Sequence, residues 1–203
     1  MLLDSHPLIN SQGELFRRMN GLTAEQILAD AYPCQNVCEG FKLFYFHPYD
    51  DRRREVWDWL EQANDVRIIH LIRDNIVRSH ISQTIALRDG VWGSRNGALK
   101  KQPIEVDPYR LELIYYTTLQ HHQRVRQYAK SHPYFELSYR QLIGDTKGVG
   151  RMLLKFLDLP DAPMSSPMTR QNPEPLSELV SNYNELCEVF GDSEIGQALR
   201  DDD

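Results

Sequence analysis

Residues 66–86 read VRIIHLIRDNIVRSHISQTIA, and this stretch decides the fold prediction. Its first part, residues 66–72, is a compact apolar run of the length that is typical of a buried strand. From Asn75 onward the apolar residues recur at helical spacing, so the strand is expected to lead directly into a helix. Arg73 stands at the junction. The sequence therefore predicts a strand-to-helix turn that carries a guanidinium beside the start of the helix.

The rest of the chain alternates strands and helices in the same way. Further strands are predicted at residues 41–46 and 134–139, helices at residues 24–32, 53–63, 75–88, 108–130, 150–157 and 176–190, and a Gly-rich loop or lid at residues 90–103. The alternation favours a three-layer α/β domain with a mainly parallel sheet, whose ligand lies at the C-terminal ends of the strands. Because the chain is long enough for one sizeable core and no linker is visible, we predict a single domain over residues 1–203.

Composition and charge exclude several classes of function. The formal net charge of -6 argues against general nucleic-acid binding, which needs a basic surface. The first residues contain no basic stretch followed by a long apolar run, so we expect neither a signal peptide nor a membrane anchor. Cys34, Cys38 and Cys187 match no zinc or redox spacing, and no metal site is predicted. We therefore expect a cytoplasmic protein without nucleic-acid, membrane or metal partners.

The stretch at residues 66–86 resembles the 3'-phosphate-binding strand and helix of the sulfotransferases that use 3'-phosphoadenosine 5'-phosphosulfate (PAPS). Other segments resemble this family, and its bacterial members above all, in the same order along the chain. They read HPLINSQGELF, GFKLFYFHP, FELSYRQLIGD, LLKFLDLP and QNPEPLSELVSNYNEL. The resemblance implies a P-loop-NTPase-like fold, PAPS as co-substrate, and transfer of a sulfuryl group to a hydroxyl of a carbohydrate or small metabolite.

The resemblance also implies that Arg73 and Ser82 bind the 3'-phosphate of PAPS. A guanidinium offers phosphate a rigid fork of donors, a hydroxyl adds another, and a helix start points unpaired N–H groups at the same anion. Two other interpretations stay open: either Ser79 takes the place of Ser82, or Arg73 pairs with a nearby aspartate while Ser82 only faces a neighbouring helix. Arg170 and Lys42 are further candidates for cofactor binding, although each also fits an ordinary solvent-exposed side chain.

Sulfuryl transfer needs a base at the acceptor and cations near the leaving phosphate. Glu14 is the first candidate for the base, because it matches the acidic residue that follows a glycine in the family. His47 is the second, since it ends the predicted strand at residues 41–46, where the site of an α/β domain opens. A solvated loop carboxylate and a structural histidine beside Pro48 are the alternatives that stay open.

Two departures from the family pattern leave activity open. The family's Tyr-Glu pair is Tyr139 and Arg140 here, which reverses a charge. We expect the strand and the loop that bind the 5'-phosphosulfate to precede Met1, because no matching sequence occurs in these 203 residues. Two hypotheses therefore stand: an active sulfotransferase, or a non-catalytic remnant that binds a 3',5'-bisphosphate nucleotide without turnover. A sheet without that strand would also favour self-association into homo-oligomers.

Overall fold

The computed structural model describes residues 2–33, 37–51, 55–92, 102–165 and 172–201. The chain divides into two compact units, and each has an apolar core of its own. Unit 1 consists of Met1–His70, Arg124–Leu137 and Gln141–Ser166, and unit 2 consists of Leu71–Gln123, Ser138–Arg140 and Pro167–Asp203.

Helices alternate with short strands along the chain, which confirms the expected α/β class. The strands are β1 (Ile9–Ser11), β2 (Cys38–Gly40), β3 (Ile68–Ile72) and β4 (Tyr134–Ser138). The helices are α1 (Ala24–Ala31), α2 (Glu55–Gln62), α3 (Ile76–Asp89), α4 (Pro108–Tyr128), α5 (Tyr139–Gly144), α6 (Thr146–Phe156), α7 (Leu176–Leu179), α8 (Tyr183–Phe190) and α9 (Glu194–Arg200).

The strands of the described residues form two small sheets. β1 pairs with β2 in parallel, with Ile9 opposite Cys38 and Ser11 opposite Gly40. β3 and β4 are neighbours in the second sheet. The larger three-layer sheet that the alternation favours remains a prediction.

The prediction of a strand at residues 41–46 is wrong, because the strand in this region, β2, lies earlier in the chain. The ladder with β1 ends at Gly40, and residues 41–46 continue as irregular chain that turns at Tyr45 and Phe46. Their side chains nevertheless alternate between half-buried and exposed positions, as in a strand. The sequence pattern reports this alternation of burial, whereas a strand also requires a partner for its backbone hydrogen bonds.

The single helix predicted at residues 176–190 is also wrong, because the structure breaks it at Val180. Val180 is extended and forms an isolated parallel bridge with Ile104. The Ile104 N–H donates to the Leu179 carbonyl, and the Ser181 N–H donates to the Ile104 carbonyl. These tertiary hydrogen bonds replace the helical ones, so α7 ends at Leu179 and α8 begins at Tyr183. A further helix, α9, follows and was not predicted.

Helix α3 forms the centre of the unit 2 core. Val77, Ile81 and Ile85 are fully buried, and their spacing of four residues places them on one face of the helix. Each aliphatic side chain buried in this way contributes roughly 1.5–3 kcal/mol to stability. Its partners in this core come from α4, α7, α8, α9 and the bridged segment: Ile104, Val106, Leu111, Tyr115, Leu176, Leu179, Val180, Leu186, Ile195 and Leu199.

Candidate functional site

The junction between β3 and α3 is fixed by the side chain of Asn75. Its Oδ1 accepts a hydrogen bond from the Arg78 N–H at 2.8 Å and so caps the start of α3. Its Nδ2 donates to the carbonyls of Ala198 (2.7 Å) and Asp201 (3.0 Å) beyond the turn. One asparagine therefore begins the helix and ties it to the C-terminal helix α9 and the residue after it.

Arg73 lies exposed at this junction, against an aromatic ring. Its guanidinium carbon is 3.5 Å from the centroid of the Tyr139 ring, which is a cation–π contact. A guanidinium that contacts a ring with its face can also donate hydrogen bonds from its edge. The charge of Arg140, the next residue, is balanced by the Asp201 carboxylate at 2.8 Å. The contact with Tyr139 thus orients Arg73, the first of the two residues that the family resemblance assigns to the 3'-phosphate.

Ser82 lies on α3 and contacts the segment that leads into α7. Its Oγ accepts a hydrogen bond of 3.0 Å from the Nδ2 of Asn172. One turn earlier, the buried Arg78 donates from Nη2 to the carbonyls of Asn172 (3.0 Å) and Glu174 (2.7 Å). The contact of Ser82 that the structure shows is thus with the segment before α7.

Arg73 lies at the junction of β3 and α3, whereas Ser82 lies within α3, and the two side chains have different partners. Arg73 contacts Tyr139, and Ser82 contacts Asn172. Arg170 lies outside the described residues, as do Cys34 and most of the predicted lid. Asn172 is a residue that sequence reasoning missed, and the only signal for it was an asparagine before a proline in a proline-rich stretch.

In unit 1, the structure brings Glu14 and His47 together. Gly13 at φ 64° adopts a left-handed conformation that suits glycine, and it turns the chain after β1 into the position of Glu14. The Tyr49 N–H donates to the Arg17 carbonyl at 3.1 Å, which joins the segment after Glu14 to the segment after His47. The resulting distance between Glu14 Oε2 and His47 Nε2 is 4.0 Å.

The imidazole of His47 has a defined orientation. Its Nδ1 accepts the Phe44 N–H at 3.4 Å, so the neutral ring carries its proton on Nε2, which is the nitrogen that faces Glu14. Its carbonyl accepts the indole N–H of Trp57 at 2.8 Å. Burial lowers the pKa of His47, and the Glu14 carboxylate opposes this effect only in part. His47 is therefore neutral near pH 7.

Three exposed aromatic rings surround His47. Phe44 stacks on Phe46 with a centroid distance of 5.4 Å, and Phe46 stacks on Tyr49 at 5.5 Å. The imidazole meets all three rings edge to face at 5.1–5.3 Å. The Lys42 side chain is exposed on the same alternating segment. The rings close off the histidine, so the carboxylate of Glu14 is the more accessible group of the pair.

A chain of polar side chains that starts at the buried His70 in unit 1 was not predicted. His70 of β3 has hydrogen bonds of 2.8 Å from its Nε2 to the Tyr45 hydroxyl and from its Nδ1 to the Tyr134 hydroxyl. Tyr134 donates in turn to Glu136, which forms two hydrogen bonds of 2.8 Å with Arg126. In the sequence, the feature that points to these hydrogen bonds is a single histidine within an apolar strand.

The neighbours of these groups explain their pKa values. Arg126 holds the pKa of Glu136 at about 2, and burial raises the pKa of Tyr45 to about 12. Burial lowers the pKa of His70, although Glu136 opposes the shift. The chain is thus neutral at His70 and ionised at its Glu136–Arg126 end near pH 7.

Over the ranges that the structure describes, no cluster of three or more His, Cys, Asp or Glu side chains is arranged to hold a metal ion. Within the same ranges, no helix combines the length and the apolar character needed to cross a bilayer.

Comparison with known proteins gives one match. The model of the sulfotransferase family matches residues 60–163, just over half of the chain. Arg73 and Ser82 lie inside the matched range, whereas Glu14, Lys42, His47 and Arg170 lie outside it. No curated protein and no solved structure matches the chain.

Proposed function

Because the chain belongs to the sulfotransferase family, we propose that it transfers a sulfuryl group from PAPS to a hydroxyl of a carbohydrate or small metabolite. The observation that carries the proposal is the β3–α3 junction, where Arg73 is stacked on Tyr139 beside the start of α3, inside the matched range. The proposal includes the P-loop-like sheet that the family resemblance implies. Sulfuryl transfer as the general activity follows from the family, and the donor and the acceptor class are proposed here.

On the donor side, the proposed ligand is the 3'-phosphate of the nucleotide. Arg73 supplies a permanent cation with parallel N–H donors, and Ser82 supplies a hydroxyl from α3, the helix that follows Arg73. Arg170 is kept as a further proposed ligand, because Asn172, two positions later in the sequence, contacts Ser82. Lys42 is kept as a weaker proposal, since its side chain is exposed.

On the acceptor side, the geometry ranks Glu14 ahead of His47 as the base. The Glu14 side chain is 38% exposed, whereas that of His47 is 0% exposed. In the proposed step, the Glu14 carboxylate takes the proton of the acceptor hydroxyl while the acceptor oxygen bonds to sulfur. The bond from sulfur to the 5'-phosphate oxygen breaks, and the products are a sulfate ester and the 3',5'-bisphosphate nucleotide. His47 lies behind Glu14, with its Nε2 at 4.0 Å from the carboxylate oxygen Oε2, and is enclosed by the three aromatic rings.

Calorimetric titration with two nucleotides tests the donor side. We expect adenosine 3',5'-bisphosphate to bind more tightly than adenosine 5'-phosphate, because only the first carries the 3'-phosphate. Arg73→Ala should weaken binding of the bisphosphate by roughly 10- to 150-fold, the equivalent of about 1.5–3 kcal/mol for a charged hydrogen-bonding group. Binding of the 5'-phosphate should change little. Arg110→Ala, which removes an exposed arginine of α4, is the matched control.

Product formation from PAPS with a panel of carbohydrate and small hydroxyl acceptors tests the reaction itself. If the bisphosphate and PAPS bind alike and no acceptor is sulfated, the non-catalytic hypothesis replaces the enzyme. If adenosine 3',5'-bisphosphate and adenosine 5'-phosphate bind equally to the wild-type protein, the proposed 3'-phosphate site is wrong. The same conclusion follows if Arg73→Ala leaves both affinities unchanged.

A further inference from the structure

Asn172 has the features of a residue that is held in one conformation. It is only 4% exposed, and its φ of 50° lies in the left-handed region. Among residues with a side chain, asparagine is one of the few that adopts this region readily, because its short amide can form local hydrogen bonds. A buried asparagine in this conformation presents its amide in a fixed direction.

Arg78 holds the backbone of Asn172 in place. It is 6% exposed, and its Nη2 donates to the carbonyls of Asn172 and Glu174 at 3.0 and 2.7 Å. The Arg78 N–H is itself bound to the cap residue Asn75. Arg78 and Ser82 are four residues apart and therefore lie on the same face of α3. The cap, Arg78, Asn172 and Ser82 form one continuous set of hydrogen bonds.

The direction of the hydrogen bond between Asn172 and Ser82 determines which further hydrogen bonds Ser82 can form. The amide Nδ2 of Asn172 can only donate, so the Ser82 Oγ is the acceptor at 3.0 Å. A hydroxyl that accepts at its oxygen keeps its own hydrogen for a different acceptor. Ser82 is thereby set up as a donor, which is the role that a phosphate oxygen requires.

We propose that Asn172 is a positioning residue that orients the Ser82 hydroxyl toward the 3'-phosphate and so sets selectivity for 3'-phosphorylated nucleotides. This inference rests on the proposed function and deepens it. Asn172 acts through Ser82, and the ligand class is a nucleotide with a phosphate on its 3'-oxygen. The 5'-phosphate end of the ligand does not depend on this contact.

The test compares dissociation constants for adenosine 3',5'-bisphosphate and adenosine 5'-phosphate in two variants. Asn172→Asp keeps the size of the side chain and tolerates positive φ, but its carboxylate accepts the Ser82 hydrogen and repels phosphate. We expect the selectivity ratio to fall at least roughly tenfold, while affinity for the 5'-phosphate stays within about threefold. Asn172→Gly keeps the backbone conformation and removes the side-chain amide, so the selectivity ratio should fall by less than in Asn172→Asp.

Ser82→Ala provides the second half of the comparison. If Asn172 acts only through Ser82, the double variant Asn172→Gly with Ser82→Ala loses no more selectivity than Ser82→Ala alone. Gln83→Ala, at the next and exposed position of α3, is the matched control and should leave the ratio unchanged. A purely structural role of Asn172 would weaken both nucleotides together and leave the ratio intact.

The outcomes separate this inference from the proposed function. A wild-type protein without preference for the 3',5'-bisphosphate contradicts the proposed function. A protein whose preference depends on Arg73 but survives in both Asn172 variants contradicts the role of Asn172 alone. If Asn172→Asp does not fold, the Asn172→Gly variant decides the question by the same ratio.

Discussion

At the scale of single residues, the pair of Glu14 and His47 assigns different tasks to two groups that both resemble a catalytic base. The carboxylate is accessible, and the imidazole is enclosed by aromatic rings and neutral near pH 7. A base must reach the proton that it removes, so accessibility favours the carboxylate. The enclosed histidine is poorly placed to meet an acceptor.

This assignment predicts unequal effects of two substitutions on sulfuryl transfer. Glu14→Gln removes the base and should lower kcat by roughly 100-fold or more, with nucleotide affinity unchanged. His47→Gln should lower kcat by less, because the carboxylate remains. Initial rates with saturating PAPS measure both effects, and Glu25→Gln, an exposed carboxylate of α1, is the control. A larger loss in His47→Gln would reverse the two roles.

At the scale of secondary-structure elements, the stability of α3 depends on its N-terminal cap, Asn75. Asn75, which is 4% exposed, both caps the helix and donates to the carbonyls of Ala198 and Asp201. Loss of a cap typically costs about 1 kcal/mol, and the loss of two further hydrogen bonds adds to that cost. The same element carries the buried Val77, Ile81 and Ile85, so its stability affects the whole of unit 2.

We therefore expect Asn75→Ala to lower the free energy of unfolding by about 2 kcal/mol or more. Asn75→Ser retains an oxygen that can cap the helix, so it should be less destabilising than alanine. Urea unfolding followed by circular dichroism measures both values. Equal destabilisation by the two substitutions would show that the cap contributes nothing and that only the lost donors matter.

At the scale of the whole molecule, the histidines with shifted pKa values predict how stability depends on pH. Burial lowers the pKa of His47 and His70 in unit 1 and of His80 in unit 2. The unfolded chain, with pKa values near 6.5, therefore binds protons at a higher pH than the folded chain does. Stability is complete above about pH 6.5 and falls as the pH decreases below that value. Glu136, with a pKa of about 2, adds a second loss as the pH falls below about 4.5.

Urea midpoints measured from pH 7.5 to 5.5 test this dependence. The wild-type midpoint should fall across this range, and the fall should be shallower in His70→Gln, which removes one of the three groups. A wild-type midpoint that rises on acidification would contradict the lowered pKa values. An unchanged slope in His70→Gln would show that the buried His70 does not contribute to the pH dependence.

Local sequence patterns are enough to predict the α/β class, the β3–α3 junction and the position of Arg73 there. These features follow from apolar spacing and from residues close together in the chain, such as Thr23 and Gln26, which form a capping box at the start of α1. The family match over residues 60–163 confirms the resemblance that the same junction carries.

Which distant side chains meet depends on how the elements pack. Ser82 and Asn172 are 90 positions apart, and Glu14 and His47 approach each other because two loops are joined through their backbones. The break at Val180 has the same origin, since a bridge to Ile104 replaces helical hydrogen bonds. Periodicity encodes which face of an element is buried, whereas hydrogen-bond partners far along the chain are selected by packing, which no local pattern contains.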